Sequence, residues 1–339
     1  MKRSQMQTPH RQPYSNVLET IGWTPMIRLG RLADGIRTPV YLKVESFNPG
    51  GSVKDRIGVA IVDAAERNGT LRPGGTIVEG TAGNTGVGLA IVAAVRGYQC
   101  VFVMPDKMSA EKVQLLRAFG AEVLVVPTVG PDHPEFYGTV ARRIADEREG
   151  AVFADQFYNP ANPEVHYRTT GPEIWEQSGG RITHFVASPG TGGTITGVSR
   201  YLKEQNPDIR VIGGDPLGST YAAFKRTGEL IKGDRYKVEG VGNEKIPGTL
   251  DMDSVDEFRT VDDATSFAMA RRITRFEGLF AGGSTGLIVS VALEVAREVD
   301  DPDACIVALF CDTGERYLSK VYNDAWLAEH GLAEDGQTE

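Results

Sequence analysis

Cysteine is scarce in this chain of 339 residues: there are three, at Cys100, Cys305 and Cys311. They form neither a disulfide framework nor a C-x-x-C metal pair, and the five histidines show no metal-ligand spacing, so no metal is expected. Cys100 and Cys305 each open an apolar run and read as inert buried residues. Long apolar runs are lacking as well. The longest, Gly86 to Val95, stops at Arg96, short of the roughly 18 residues a membrane span requires. Met1 to Tyr14 carry Lys2, Arg3 and Arg11 but no apolar stretch. That excludes a secretory signal, and the segment reads as a tail rather than an organelle address. Positive charge is in deficit: 36 Lys and Arg against 45 Asp and Glu leave a net -9, with a pI near 5.2. No nucleic-acid partner is expected from such a balance. A cytoplasmic setting free of membrane fits all of these absences.

Glycine is what the chain has in excess, 40 residues of 339, about 12% against a usual share of about 7%. Such an excess points to tight turns and to backbone that approaches ligands closely. The glycines sit in a repeating context. Short β-branched runs (Thr76 to Glu79, Cys100 to Met104, Glu122 to Val126, Ile182 to Ala187, Arg210 to Gly213, Cys305 to Phe310) end in glycine-rich or polar loops. Several of these loops lead into helical periodicity, as at Val87 to Val95 and at Ala110 to Phe119 behind the N-cap Ser109. Apolar strands alternating with helices predict α/β architecture with mainly parallel sheets covered on both faces. Loops at the carboxyl ends of such strands are where open α/β sheets bind ligands. Pro127 to Phe136 reads as a mobile surface loop.

Three loops and one lysine carry the chemistry. Asn48-Pro-Gly-Gly-Ser-Val-Lys-Asp-Arg56 places Lys54 at the opening of a helix. It is either a solvated charge or, held in a cleft, an amine that loses its proton through desolvation and attacks a carbonyl. Asp55 and Arg56 read as an ion pair or as first-turn residues. Ser188-Pro-Gly-Thr-Gly-Gly-Thr194 lies between a strand and a helix, where converging backbone N–H groups and two threonine hydroxyls would cradle a phosphate. Ile195 stands where a G-x-G-x-x-G fingerprint needs glycine and no G-K-[ST] occurs, so a phosphate outside any dinucleotide is preferred over a dehydrogenase. Thr81-Ala-Gly-Asn-Thr-Gly86 offers N–H groups and an amide to a carboxylate or ring hydroxyl, or simply caps a helix. Asp312 and Thr313 follow a buried strand and project to opposite faces. The histidines read mostly as surface or strand residues.

Together these segments resemble the β-replacement branch of the fold-type II pyridoxal-phosphate enzymes, which includes cysteine synthase and cystathionine β-synthase. The resemblance runs from about Asn16 to Trp326. Its specific pieces are G-G-S-V-K-D-R around Lys54, G-N-T-G from Gly83, G-T-G-G-T from Gly190 and T-G-E-R-Y from Thr313. It implies two open α/β domains with mainly parallel twisted sheets and pyridoxal 5'-phosphate in the cleft between them. The larger domain would comprise residues 1–45 plus 159–330, the smaller mobile one 46–158, with 331–339 a tail. By the same resemblance Lys54 joins the cofactor aldehyde, and Gly190, Thr191, Gly192, Gly193 and Thr194 hold its phosphate. Asn84 meets its ring hydroxyl, and Thr313 its pyridine nitrogen unless Asp312 faces the ring instead. The substrate carboxylate falls to Thr81, Ala82, Gly83, Asn84, Thr85 and Gln156, and the incoming nucleophile to the region of Glu239 and Gly240.

Within that branch the chain is closer to the cystathionine β-synthase type, through Met104 to Val113, Val238 to Gly242, Glu277 to Leu279, Gly282 to Ser284 and Ser319 to Trp326. Glu239 stands where cysteine synthases often carry glutamine. The expected reaction is replacement of the β-substituent of serine by homocysteine, giving cystathionine and water. The alternatives are O-acetylserine plus sulfide giving cysteine and acetate, or a cofactor-binding protein without turnover that acts through a partner. A homodimer is implied by the family. Three departures stand out. Ala82 replaces the usual serine, the haem-ligating Cys and His of animal forms are missing, and no regulatory module is expected beyond Glu339.

Overall fold

A computed structural model describes residues 13–130 and 132–333. The expected N-terminal tail up to Gln12, Pro131 in the expected mobile loop and the tail from Glu334 onward lie outside the described residues. Ten strands follow in chain order: β1 (Met26–Arg28), β2 (Val40–Val44), β3 (Thr76–Gly80), β4 (Gln99–Pro105), β5 (Glu122–Val126), β6 (Ala151–Phe153), β7 (His184–Ala187), β8 (Arg210–Pro216), β9 (Glu257–Val261) and β10 (Ile306–Phe310). The helices are α1 (Lys54–Arg67), α2 (Asn84–Arg96), α3 (Ala110–Ala118), α4 (Tyr137–Glu147), α5 (Ala161–Val165), α6 (Gly171–Gln177), α7 (Gly193–Gln205), α8 (Tyr221–Thr227), α9 (Asp263–Glu277), α10 (Gly283–Val299) and α11 (Asp324–Glu329). A π-turn, His166–Thr170, joins α5 to α6.

The strands form two sheets, one of six in the order β1-β2-β10-β7-β8-β9 and one of four in the order β5-β4-β3-β6. Only the β1–β2 pair is antiparallel; every other pair runs parallel. The physical reason is in the sequence. Every residue of β10, an unbroken apolar run, is buried, and so is every residue of β3, Thr76 and Glu79 included, because a parallel strand is covered by helices on both faces. Ile306 pairs with Val40 on one side and His184 on the other, fixing β10 at the centre of the larger sheet.

Helices α1 and α2 cover one face of the smaller sheet, where Ile57, Ile61, Leu89, Val92, Phe102 and Met104 share a core. Their backbones come close at two glycines. A Cβ at Gly58 would collide with the Gly88 backbone, and one at Gly88 with the Lys54 carbonyl. The loops after β3, β7 and β10 leave the carboxyl ends of their strands, and these are the loops the sequence singled out. No described helix is long and apolar enough to cross a membrane.

Candidate active site

The chain around Lys54 is tied to the end of β10 before α1 begins. Val53 N–H donates to the Cys311 carbonyl at 2.9 Å and Thr313 N–H to that of Gly51 at 3.1 Å. This short bridge sets Lys54 beside Cys311 and Asp312. Burial lowers the Lys54 ammonium from its ordinary value, opposed by the fields of Cys311 and Asp312. The Cys311 thiol is pushed up to about 12, chiefly by burial. A neutral amine is thus accessible at Lys54, the state a nucleophile or base requires.

Asp55 and Arg56 stand in the first turn of α1, one of the two readings from sequence, and are not paired with each other. The Arg56 guanidinium turns away from the site and is held by two carboxylates, Glu45 (2.7 and 2.8 Å) and Glu173 (2.7 Å twice). Lys43 completes the group through Glu173 at 2.7 Å, so two cations face two anions in the interior. Burial alone would raise the Glu45 carboxyl, but the Arg56 charge and hydrogen bonds outweigh it and hold it at about 2. Asp55 instead accepts from Gly50 N–H at 2.5 Å. Burial raises its carboxyl to about 7.

Both ligand loops end on a glycine with positive φ immediately before a helix, Gly83 at 136° ahead of α2 and Gly192 at 89° ahead of α7. A side chain there would be strained, and the turn presents the first helical N–H groups outward. In the loop before α2, Thr81 accepts from Gly83 N–H at 3.0 Å. Thr85 donates to Gln156 Oε1 at 2.6 Å, and Gln156 Nε2 donates to Glu79 at 2.9 Å and to the Gly80 carbonyl at 3.3 Å. Gln156 is therefore turned to brace Thr85. It follows Asp155, whose φ of 54° aims the next residue inward. Burial raises the Glu79 carboxyl to about 8.

Asn84 is oriented at both ends of its amide. Its Nδ2 donates to Asp312 at 2.8 Å, and its Oδ1 accepts from Arg316. Asp312 also accepts from the Tyr317 hydroxyl at 2.6 Å. Its other oxygen has no hydrogen-bond partner among the described residues and abuts the Gly282 Cα, where a Cβ would overlap it. Asp312 is thus buried against the protein. Thr313 lies across from Gly51, whose φ of 73° disfavours a side chain and where a Cβ would press on the Thr313 methyl.

Gly190, Thr191, Gly192, Gly193 and Thr194 stand together at the start of α7. Gly190 is pressed on the Gly240 carbonyl, where a Cβ would collide. Thr191 accepts from Asn162 at 2.9 Å and Thr194 meets His166 at 3.1 Å. Asn162 also donates to the Gln156 carbonyl at 2.8 Å, joining this loop to the one before α2. His166 is fully buried in the π-turn, an exception to the surface-or-strand reading of most histidines, which His133 and His184 fit. Glu239 is gripped by Lys112 and by Lys320 at 2.6 Å. Burial alone would raise its carboxyl, but the two ammonium groups outweigh it and hold it below its ordinary value. Lys112 lies against Gly83 and above the Tyr317 ring, so Glu239 belongs to the same cleft. Lys112, Lys320, Arg316 and Tyr317 lie in segments that carry the resemblance but have no role in the reading from sequence, and Asn162 and His166 are not singled out there. The spacing of Asn162 and His166, one helical turn apart, was the available signal.

This donor set suits a phosphate-bearing aldehyde. A desolvated amine supplies the carbonyl-reactive group, and a helix start with two threonine hydroxyls supplies the anion seat. Among known proteins, the family model described as "Pyridoxal-phosphate dependent enzyme" matches residues 17–312. Cystathionine beta-synthase of Oryctolagus cuniculus is 45% identical over 323 residues, spanning 94% of this chain and 58% of that relative's length. Cysteine synthase 1 of Neurospora crassa is 43% identical, spanning 92% of this chain and 84% of its own. The crystal structure of an O-ureido-L-serine synthase superposes with a TM-score of 0.85 at 41% identity, covering 94% of this chain and all of that one. The chain thus spans less than two thirds of the rabbit relative. With the site and the match over most of its length in agreement, the chain belongs to the pyridoxal-phosphate-dependent enzyme family.

Proposed function

We infer that the protein replaces the β-substituent of serine, or of an activated serine, by a thiol. The observation that carries this reading is the desolvated Lys54 amine set between an anion seat and an amide-lined loop. The bound cofactor supplies an electron sink that acidifies the Cα–H of an amino acid. The chain's residues do the rest. Lys54 Nζ takes the Cα proton and delivers a proton to the departing hydroxyl. The Thr81–Thr85 segment, Ala82 among it, receives the substrate carboxylate, with Thr85 held in place by Gln156. Asp312 and Arg316 fix the Asn84 amide, which would meet the ring hydroxyl of the bound cofactor. The Asp312 carboxylate is occupied by Asn84 and Tyr317, which supports Thr313 as the group at the pyridine nitrogen. A neutral hydroxyl there does not enforce protonation of that nitrogen, which favours loss of the β-substituent over transamination.

The pair of substrates we assign is serine with homocysteine, giving cystathionine and water. Glu239 between two lysines gives the second-substrate side a carboxylate with a net positive surround, suited to an anionic amino-acid thiol. The alternative is O-acetylserine with sulfide, giving cysteine and acetate. Steady-state comparison of the two pairs decides, and equal or faster turnover of the second pair would select the alternative. Replacing Lys54 with Ala is expected to abolish the visible absorbance change on adding serine and to cut turnover at least a thousandfold; near-normal turnover would remove Lys54 from its role. The division into residues 1–45 plus 159–330 and 46–158 is supported by the split of strands between the two sheets. Closure of the smaller part over substrate would exclude water. A cytoplasmic homodimer is the assembly we assign on family grounds, checked by sedimentation of the purified protein.

A further inference from the structure

The two threonines of the anion seat are each met from behind by a side chain of the segment leading through α5 into the π-turn. Asn162 Nδ2 lies 2.8 Å from the Gln156 carbonyl and 2.9 Å from Thr191 Oγ1. A backbone carbonyl only accepts, so the amide atom facing it is the nitrogen. That same nitrogen meets Thr191, whose oxygen is therefore an acceptor there. The hydroxyl hydrogen of Thr191 is left to point elsewhere. On the second threonine, His166 Nε2 lies 3.1 Å from Thr194 Oγ1, while Nδ1 lies 2.9 Å from Thr170 Oγ1.

Burial and the charges of Arg56 and Lys54 push His166 well below its ordinary value, so the ring is neutral and carries one hydrogen. Two tautomers satisfy the distances. With hydrogen on Nδ1, Thr194 must donate to Nε2 and offers only lone pairs to an anion. With hydrogen on Nε2, the ring donates to Thr194, Thr170 donates to Nδ1, and the Thr194 hydrogen is free. The contact is close because α7 carries Gly197 beneath the ring, where a Cβ would run into the Pro163 carbonyl and His166. Thr170, four residues on in the same π-turn, lies level with Nδ1.

We propose that Asn162 and His166 are positioning residues that make Thr191 and Thr194 obligate donors toward the cofactor phosphate, and that phosphate loading fixes His166 as the Nε2–H tautomer. The proposal rests on the family's cofactor and not on the choice of substrates, so a protein that binds cofactor yet fails on serine would sink only the reaction assigned above.

Two measurements test it. The first is histidine 15N NMR of the wild-type protein, stripped of cofactor and then given inorganic phosphate or pyridoxal 5'-phosphate, with His166→Gln used to assign the resonance. An Nε2–H ring in the loaded protein is expected; an Nδ1–H or charged ring would overturn the proposal. The second is equilibrium binding of pyridoxal 5'-phosphate and of unphosphorylated pyridoxal to His166→Ala, Thr194→Ala and the double variant. A hydrogen bond to a charged group sets the scale of loss at about tenfold or more for the phosphorylated ligand. Pyridoxal binding should not change, and the double variant should be no weaker than Thr194→Ala. Glutamine at position 166, whose amide nitrogen reaches the Nε2 position, should restore affinity. Additive losses, or equal losses for both ligands, would show that His166 does not act through Thr194. A variant that fails to fold leaves the wild-type tautomer as the deciding observation.

Discussion

Arg56 sits two residues from Lys54 but does its work behind it, with five hydrogen bonds to Glu45, Glu173 and Thr169. Removing one partner of a buried ionic group strands the others, at a cost of about 3–5 kcal/mol. R56M should therefore lower stability by that order in urea unfolding, and R56M combined with E45Q should recover part of it. No recovery would mean that packing of the arginine stem, and not stranded charge, sets the loss. Glu79 behaves oppositely. Burial raises its carboxyl from an ordinary 4.5 to about 8, so the folded protein keeps a proton that the unfolded chain releases. Its contribution is complete below its unfolded value and is lost as pH rises toward 8, with a steepest slope of about 1.4 kcal/mol per pH unit. E79Q cannot ionise and should flatten the fall in urea midpoint between pH 5 and 8.5. Identical slopes in both proteins would show that Glu79 is already ionised in the fold.

Helices α1 and α2 meet through Gly58 and Gly88, and the Lys54 carbonyl is one of the atoms a side chain at Gly88 would strike. G88A should cost about 1–3 kcal/mol as an overpacked contact and weaken cofactor retention, because the helix that yields is the one opening with Lys54. Unchanged cofactor affinity would show that α2 absorbs the shift instead. The strands that were legible from sequence, β3, β4, β5, β7, β8 and β10, are apolar runs bounded by loops. Those missed, β1, β2, β6 and β9, are short or interrupted by the charged residues Arg28, Lys43, Glu257 and Arg259. Lys43 reads as a surface charge until Glu173 is brought to it. The same holds in the site. Glycine loops and Lys54 carry local signatures, whereas Asn162, His166, Lys112 and Lys320 acquire meaning only through residues 28 to 127 positions distant.

At the scale of the molecule, the six- and four-stranded sheets are linked by few covalent crossings but by a continuous polar thread. It runs from Glu79 through Gln156 and Asn162 to Thr191. The loop before α2 and the loop before α7 are thus joined, through Thr85, Gln156, Asn162 and Thr191, by one run of hydrogen bonds.

The sulfur atoms offer a way to watch that architecture come apart. Burial raises Cys100 and Cys311 to about 12 and lifts Cys305 as well, so none is a thiolate at neutral pH. One marks the smaller sheet, one the entry to β10 and one the floor beside Lys54. A thiol-reactive dye should stay almost silent on the intact protein and register each region as it opens, with Cys311 shielded longest when cofactor is present. Three natural reporters, unused by the chemistry, would then time the order in which the halves of the enzyme let go.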